Sequence, residues 1–344
     1  MARGMLRGVP RVAVRSTLLL IACAIVLAAC GGSQSSTSTP TGPTLASIAG
    51  TPDASTVVTP TGPTLASIVG TPDASTVVTP NLIVLGGTDF PAGKTTRIPF
   101  QVAQKDGKIL HPDGGTAQLY LGATATSPAL GPYAVQQLSL KGTGISFDHE
   151  DADTIMVAAE VPLPAAGAWT AVVTMKVAGK TVVASNQFSI LPKEVTPAVG
   201  AAAPTARTPT LKDVGEDGTK ISTARPLDLT LLQDSIPDLL AAQRPFVVAF
   251  ATPQFCTSRL CGPVVDITRN IQRALQGTKM AFVHAEIYTD LDPSKGSAPW
   301  VLAWALPTEP WIFVVNAQGT ITAKFEGSVT PAELEAAARE ALAS

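Results

Sequence analysis

The stretch PFVVAFATPQFCTSRLCGP, from Pro245 to Pro263, decides the reading of the C-terminal part of this 344-residue chain. Phe246 to Phe250 is an unbroken apolar run, suited to a strand buried on both faces. It leads into Cys256 and Cys261, which have four residues between them, and then into Gly262-Pro263, a helix start with Pro at its first position. Five positions along a regular helix lie about 140° apart, so two such sulfurs cannot bond across one helix face. Cys256 is therefore expected in an irregular loop and Cys261 just before a helix that continues through Ile267 to Leu275.

Working outward, Ser235 to Ala242 has a Ser cap and helical spacing, Met280 to Ile287 reads as a second buried strand, and Trp300 to Leu306 as a short helix. Trp311 to Asn316 and Thr320 to Phe325 form a hairpin through Asn316-Ala317-Gln318-Gly319. Thr330-Pro331-Ala332-Glu333 opens a last helix with a capping box. This order of elements resembles the thioredoxin arrangement, and the residues match it at two places. One is the strand Phe250-Ala251-Thr252-Pro253-Gln254-Phe255 running into Cys256; the other is Trp304 to Gly319, WALPTEPWIFVVNAQG, which is similar to the family's stretch around its cis-proline. The resemblance implies that Pro310 is that cis-proline and that Glu309 faces substrate. It also implies that Cys256 and Cys261 are the exchanging pair, with no cofactor.

The sequence departs from that family at two points. Cys-x4-Cys stands where the family carries Cys-x-x-Cys, and Ala249 stands where its buried acid is expected, a role that Glu309 could partly take. Three readings of the pair stay open. A helix N-terminus and Arg259 would favour a thiolate for exchange; an oxidising compartment would lock the loop with an inert disulfide; or Cys256, Cys261 and His284 would hold copper, as in the Sco assembly factors.

The rest of the chain places this unit outside the cell. Arg3, Arg7, Arg11 and Arg15 precede the apolar run Leu18 to Ala29, too short to cross a bilayer, and Leu27-Ala28-Ala29-Cys30 resembles the bacterial lipobox. Residues 1–29 are thus expected to be a lipoprotein signal peptide that takes Cys23 with it, and Cys30 the lipid attachment site. Localisation at the extracytoplasmic face of the cell membrane follows, with thiols and disulfides of exported or membrane proteins as partners. The net charge of -2 becomes -6 once the four Arg are removed, leaving 20 basic against 26 acidic residues. Such a balance argues against nucleic acid as a partner.

Thr39 to Val58 is repeated as Thr59 to Val78 with only Ala49 changed to Val69. Residues 30–80 are Pro- and Thr-rich and are expected to be a disordered tether. Seven β-rich runs between turns from Leu82 to Ile190 predict an antiparallel, immunoglobulin-like β-sandwich over 81–192. The fold class is therefore mixed, an all-β sandwich, then a linker over 193–225, then an α/β thioredoxin-like domain over 226–344. His111, His149 and the acids Asp148, Glu150, Asp151 and Asp153 offer a cation site only in outline, since such acids are ordinarily solvated turn residues.

Overall fold

The computed structural model describes residues 62–70, 76–139, 154–256 and 260–344. The expected signal peptide, Cys30, the first repeat, His149 with its neighbouring acids, and Arg259 lie outside the described residues. Among the described residues no helix is long and apolar enough to cross a membrane.

Among the described residues seven strands make the N-terminal body: β1 (Thr76–Leu85), β2 (Thr95–Ala103), β3 (Thr116–Gly122), β4 (Leu130–Ser139), β5 (Thr154–Pro162), β6 (Gly167–Val177) and β7 (Lys180–Ile190). Alternation builds it. Along β3, Ala117, Leu119 and Leu121 are buried while Thr116 and Gln118 are exposed, as a strand with one face on a core requires. The core gathers Phe100, Leu119, Leu121, Val135, Val161 and Val173.

The expected antiparallel sandwich is corrected in one respect: the strands close into a barrel in the order β1-β2-β5-β4-β3-β6-β7, with β1 running parallel to β7. Two strands that change neighbours close the ring. β1 meets β7 at Thr76, Val77, Asn81 and Leu82, with a register shift between Val77 and Asn81, and meets β2 through Leu82 to Leu85. β4 pairs with β3 through Leu130 to Gln136 and with β5 through Gln136 to Ser139. Apolar alternation marks the inward face of a strand but carries no record of which neighbour it takes.

The expectation of a tether up to residue 80 is also corrected. In the second repeat, α1 (Leu65–Val69) is capped by reciprocal bonds between Thr64 and Ser67, and Leu65 packs on Val172, Val183 and Tyr120 of the barrel. Gly122 makes room for it, since a Cβ there would stand 2.6 Å from the Leu65 side chain. Composition averaged over the repeat hides what one well-seated leucine does.

The second unit is a four-stranded sheet in the order β11-β10-β8-β9, built from β8 (Phe246–Phe250), β9 (Ala281–Ala285), β10 (Trp311–Val315) and β11 (Ile321–Glu326). β8 and β9 are parallel, and β10 is antiparallel to β8 and β11. Every residue of β8, β9 and β10 is buried because helices cover both faces. Val247, Ala249, Ile312 and Val314 share a core with α3 (Cys261–Ala274) and α5 (Pro331–Ala343). Phe246, Val248, Phe250 and Phe313 share the other with α2 (Ile236–Ala241) and α4 (Pro299–Ala303), where Trp304 packs 5.1 Å from Phe250 and 4.6 Å from Phe313, ring centre to ring centre.

Residues 193–225, expected to be a linker, are packed. Ala202 bridges to Thr320, Leu211 and Ile221 join Leu232 in a small cluster, and Thr208, Ser222 and Thr223 are buried. Small polar residues here satisfy backbone groups instead of forming a periodic apolar face, which is why the segment lacks a helix or strand signal.

Polar contacts and a shared core join the barrel to the sheet. Ile155 and Val157 of β5 belong to the core under α3 and α5. Arg97 makes a bidentate pair with Glu333 at 2.6 and 2.9 Å, and Lys324 reaches Asp89 at 3.3 Å and Glu194 at 2.6 Å. Asp89 also accepts bonds from the N–H groups of Val195 and Thr196 and from the Thr196 hydroxyl. Burial alone would raise the pKa of Asp89, but these donors and Lys324 hold it below the ordinary carboxylate range. Glu194, through Lys324 and Lys94, and Glu333, through Arg97, are likewise lowered against the effect of burial.

Depressed folded pKa values mean stabilisation that is complete above the unfolded values near about 4 and is lost as pH falls through the folded ones. Thermal melts between pH 7 and pH 3 are expected to fall steeply below about pH 4; a melting temperature level to pH 3 would contradict the account. Asp89→Ala, which leaves the N–H groups of Val195 and Thr196 without their acceptor and takes one of two carboxylates from Lys324, is expected to cost about 3 kcal/mol in urea unfolding.

Candidate active site

The two cysteines sit where β8 passes into α3. Pro253 to Phe255 turn the chain out of the sheet, the Phe255 N–H donating to the Thr252 carbonyl at 3.1 Å, and Cys256 follows. Cys261 is the first residue of α3, one position inside the helix start expected from Gly262-Pro263. The two sulfurs form a disulfide with the Cα atoms 6.0 Å apart, a span that a loop of four residues provides and one helix face does not. Cys261 is wholly buried, whereas Cys256 is half-buried. The Cys261 N–H donates to the Cys256 Sγ at 3.3 Å, so the first turn of a 14-residue helix faces the accessible sulfur and would favour its thiolate after reduction.

The Glu309–Pro310 peptide is cis, as the resemblance implies. Trp311 lies opposite Phe250, which places Glu309 and Pro310 at the same end of the sheet as the cysteine turn. The Trp311 indole N–H donates to the Thr308 hydroxyl at 3.1 Å, and that hydroxyl donates to Glu326 at 2.6 Å, fixing the segment before the cis bond. Phe255, beside the accessible sulfur, meets Tyr288 edge to face with ring centres 6.1 Å apart. Burial raises the Glu309 carboxyl above its ordinary pKa; burial, then the Glu309 charge, raises the Tyr288 phenol. Among the described residues no ion pair to Glu309 is present.

Behind the turn lies a buried polar group that sequence reasoning missed. Thr223 donates its hydroxyl to Glu286 at 2.6 Å while accepting the Gln254 N–H at 3.2 Å. His284 Nε2 faces the Ala251 carbonyl at 3.0 Å, so it carries the proton, and Nδ1 accepts from the Ser222 hydroxyl. Burial pushes the His284 pKa down, in keeping with a neutral ring. Glu286 Oε2 and Thr252 Oγ1 are buried with no hydrogen-bond partner among the described residues. One signal was present: Glu286 is an acid that continues the apolar strand β9, the neighbour of the strand on which Ala249 replaces one. Ser222 and Thr223 gave none, since they lie in the stretch read as a linker.

The copper alternative is corrected here. Both His284 nitrogens are engaged by Ala251 and Ser222, the cysteines bond each other, and the described residues bring no three His, Cys, Asp or Glu side chains together as a metal site. On the barrel, His111 Nδ1 faces Gln137 and Thr154.

Strand order, the cysteine pair at the start of α3 and the cis-Pro before β10 together decide the C-terminal fold. It is a thioredoxin-like domain. No family model matches the sequence, and no curated protein matches it. Among solved structures, the chain is similar to a thiol:disulfide interchange protein, a thioredoxin family protein, from Chlorobium tepidum TLS. The identity is 16% and the TM-score 0.29, over 42% of this chain and 98% of that one.

The polar group makes its own prediction. Thr223→Val keeps the shape but leaves Glu286 and the Gln254 N–H short of a partner; a loss of about 2 kcal/mol is expected in urea unfolding. Thiol counting is expected to show the Cys256–Cys261 disulfide still closed, because the Cys261 end is set by α3.

Proposed function

We propose that this protein exchanges thiols and disulfides with exported or membrane proteins through Cys256 and Cys261, held at the extracytoplasmic face of the cell membrane by lipid on Cys30. The observation that carries the reading is the asymmetry of the pair: one sulfur is half-buried at a helix N-terminus, at the end of the sheet where Glu309 and Pro310 stand, and the other is wholly buried. A target thiolate attacks Cys256 Sγ; the Cys256–Cys261 bond breaks, and Cys261 Sγ leaves with the electron pair and takes a proton. A second target thiolate then attacks the mixed disulfide and expels the Cys256 thiolate. Two electrons pass from target dithiol to protein disulfide, and the same steps reversed reduce a target disulfide.

The barrel is part of the proposal as an immunoglobulin-like module. Its order, read as β1-β2-β5-β4 and β3-β6-β7, corresponds to the two sheets of that fold, with β4 bridging them. The acids of the interface and the core shared by β5, α3 and α5 support a fixed platform for the exchanging unit.

Three measurements test the reading. The reduction potential of the full chain is expected above about -300 mV, the value below which structural disulfides lie, and Cys261→Ser is expected to accumulate mixed disulfides through Cys256 with exported proteins. A lower potential together with no trapped partner would overturn the exchange role. Mass spectrometry of the membrane fraction is expected to find a diacylated chain beginning at Cys30, and retention of Met1 would overturn the anchoring.

A further inference from the structure

The seat of the second repeat on the barrel fits a sequence that this chain carries twice. Leu65 is buried against Val172, Val183, Tyr120 and Ala129, in space that Gly122 leaves open. On either side of it the contacts are backbone bonds. The Ala66 N–H donates to the Ala125 carbonyl and the Ala129 N–H to the Pro63 carbonyl, both at 2.9 Å. Thr64 and Ser67 cap the turn reciprocally. Pro43-Thr44-Leu45-Ala46-Ser47-Ile48 repeats Pro63-Thr64-Leu65-Ala66-Ser67-Ile68 without a change, so every group that the second repeat brings to this seat is present again, twenty residues earlier. The one difference between the repeats, Ala49 for Val69, falls at the rim, where Val69 is half-buried.

We infer that this groove is a docking site for either repeat, and that residues 43–48 replace residues 63–68 in it in a minor fraction of molecules. Two effects set the balance. Six residues, 70–75, join the second repeat to β1, whereas 26 residues, 50–75, join the first, and closing the longer loop is about ninefold less favourable. The half-buried methyl groups of Val69, absent from Ala49, add about threefold. The second repeat therefore holds the groove in most molecules, and the first holds it in about one in thirty. Where Cys30 carries lipid, docking of the first repeat shortens the chain between lipid and barrel by twenty residues, which gives the protein two reaches from the membrane. That consequence rests on the anchoring proposed above; the docking itself does not, and it is independent of the exchange role.

The test uses the full chain, with the Cys256–Cys261 disulfide closed and one cysteine pair added. Ala125→Cys is combined with Ala66→Cys in one protein, with Ala46→Cys in a second, and with Ser36→Cys, outside the repeats, in a third. Diamide takes two electrons and two protons from each added pair, which closes as a disulfide, and the initial rate is read by peptide mass spectrometry. Positions 66 and 125 are expected to link about thirtyfold faster than positions 46 and 125, and these in turn faster than the background set by position 36. Leu65→Asp, which removes the competitor, is expected to raise the rate between 46 and 125 at least about tenfold. Val69→Ala, a smaller change, is expected to raise it about threefold, so that a Leu65→Asp protein that fails to fold leaves a second reading. Leu45→Asp is expected to return it to background. A rate between 46 and 125 that stays at background in the parent and with Val69→Ala would overturn the docking, as would a rate that Leu45→Asp leaves unchanged. Chains with Ala46→Cys alone, mixed with chains with Ala125→Cys alone, are expected to link no faster than background; linking as fast as within one chain would overturn the exchange within the molecule.

Discussion

The carboxylate of Glu326, at the end of β11, is the point on which both bodies of this protein bear. Its Oε2 accepts the N–H groups of Thr88 and Asp89 at 2.8 and 2.9 Å, and its Oε1 accepts the hydroxyls of Thr88 and Thr308 at 2.9 and 2.6 Å. The first three donors belong to the loop that leaves β1 of the barrel; the last belongs to the segment that ends in the cis Glu309–Pro310 bond. One acid thus ties the position of the barrel to the loop at the same end of the sheet as the cysteine turn. Close approach makes this possible. A Cβ on Gly87 would stand 2.8 Å from Glu326 Oε2, and one on Gly327, whose φ is +69°, would stand 2.0 Å from the Gly86 carbonyl oxygen. Glycine is needed at both positions because two backbones meet there.

Seen from this contact, the barrel is more than a stalk. A stalk would leave the thioredoxin-like unit free to turn on a linker, but residues 193–225 run back against the sheet and contribute Ser222 and Thr223 to the wall behind the cysteine turn. The chain therefore braces the site twice, from the front through Thr88, Glu326 and Thr308, and from behind through Thr223, Glu286 and Gln254. These bonds run from side chains to backbone and to other side chains, over separations of tens to hundreds of residues.

That distance explains what could and could not be read from the chain. Phe246–Phe250, Ala281–Ala285 and Trp311–Val315 were legible because burial on both faces demands continuous apolar residues, and α5 because Thr330 and Glu333 cap it locally. Cys256, Cys261 and Pro310 were legible because their neighbours in sequence resemble a known arrangement. Glu326, Glu286 and Thr223 were not, since each owes its place to a partner far along the chain and an isolated Thr or Glu carries no periodic signature. Leu65 was missed for the converse reason: a segment poor in apolar residues still docks when one leucine meets a groove opened by Gly122.

A buried acid, Glu286, stands behind the cysteine turn. A disulfide whose buried member departs as a thiolate needs a proton inside the protein, and Ala249 on β8 offers none. The adjacent strand β9 runs parallel to β8, with Ala249 beside His284 and Phe250 beside Ala285, so the next residue, Glu286, comes level with Ala251 at the start of the cysteine turn. Its Oε1 is committed to Thr223, but its Oε2 is buried and unpartnered, as is the hydroxyl of Thr252 in that same turn. Leaving two such groups unsatisfied costs stability that an apolar pair of similar shape would not. An acid moved one strand over, held by a segment that looks like linker, gives the turn a polar interior that the sequence of β8 lacks.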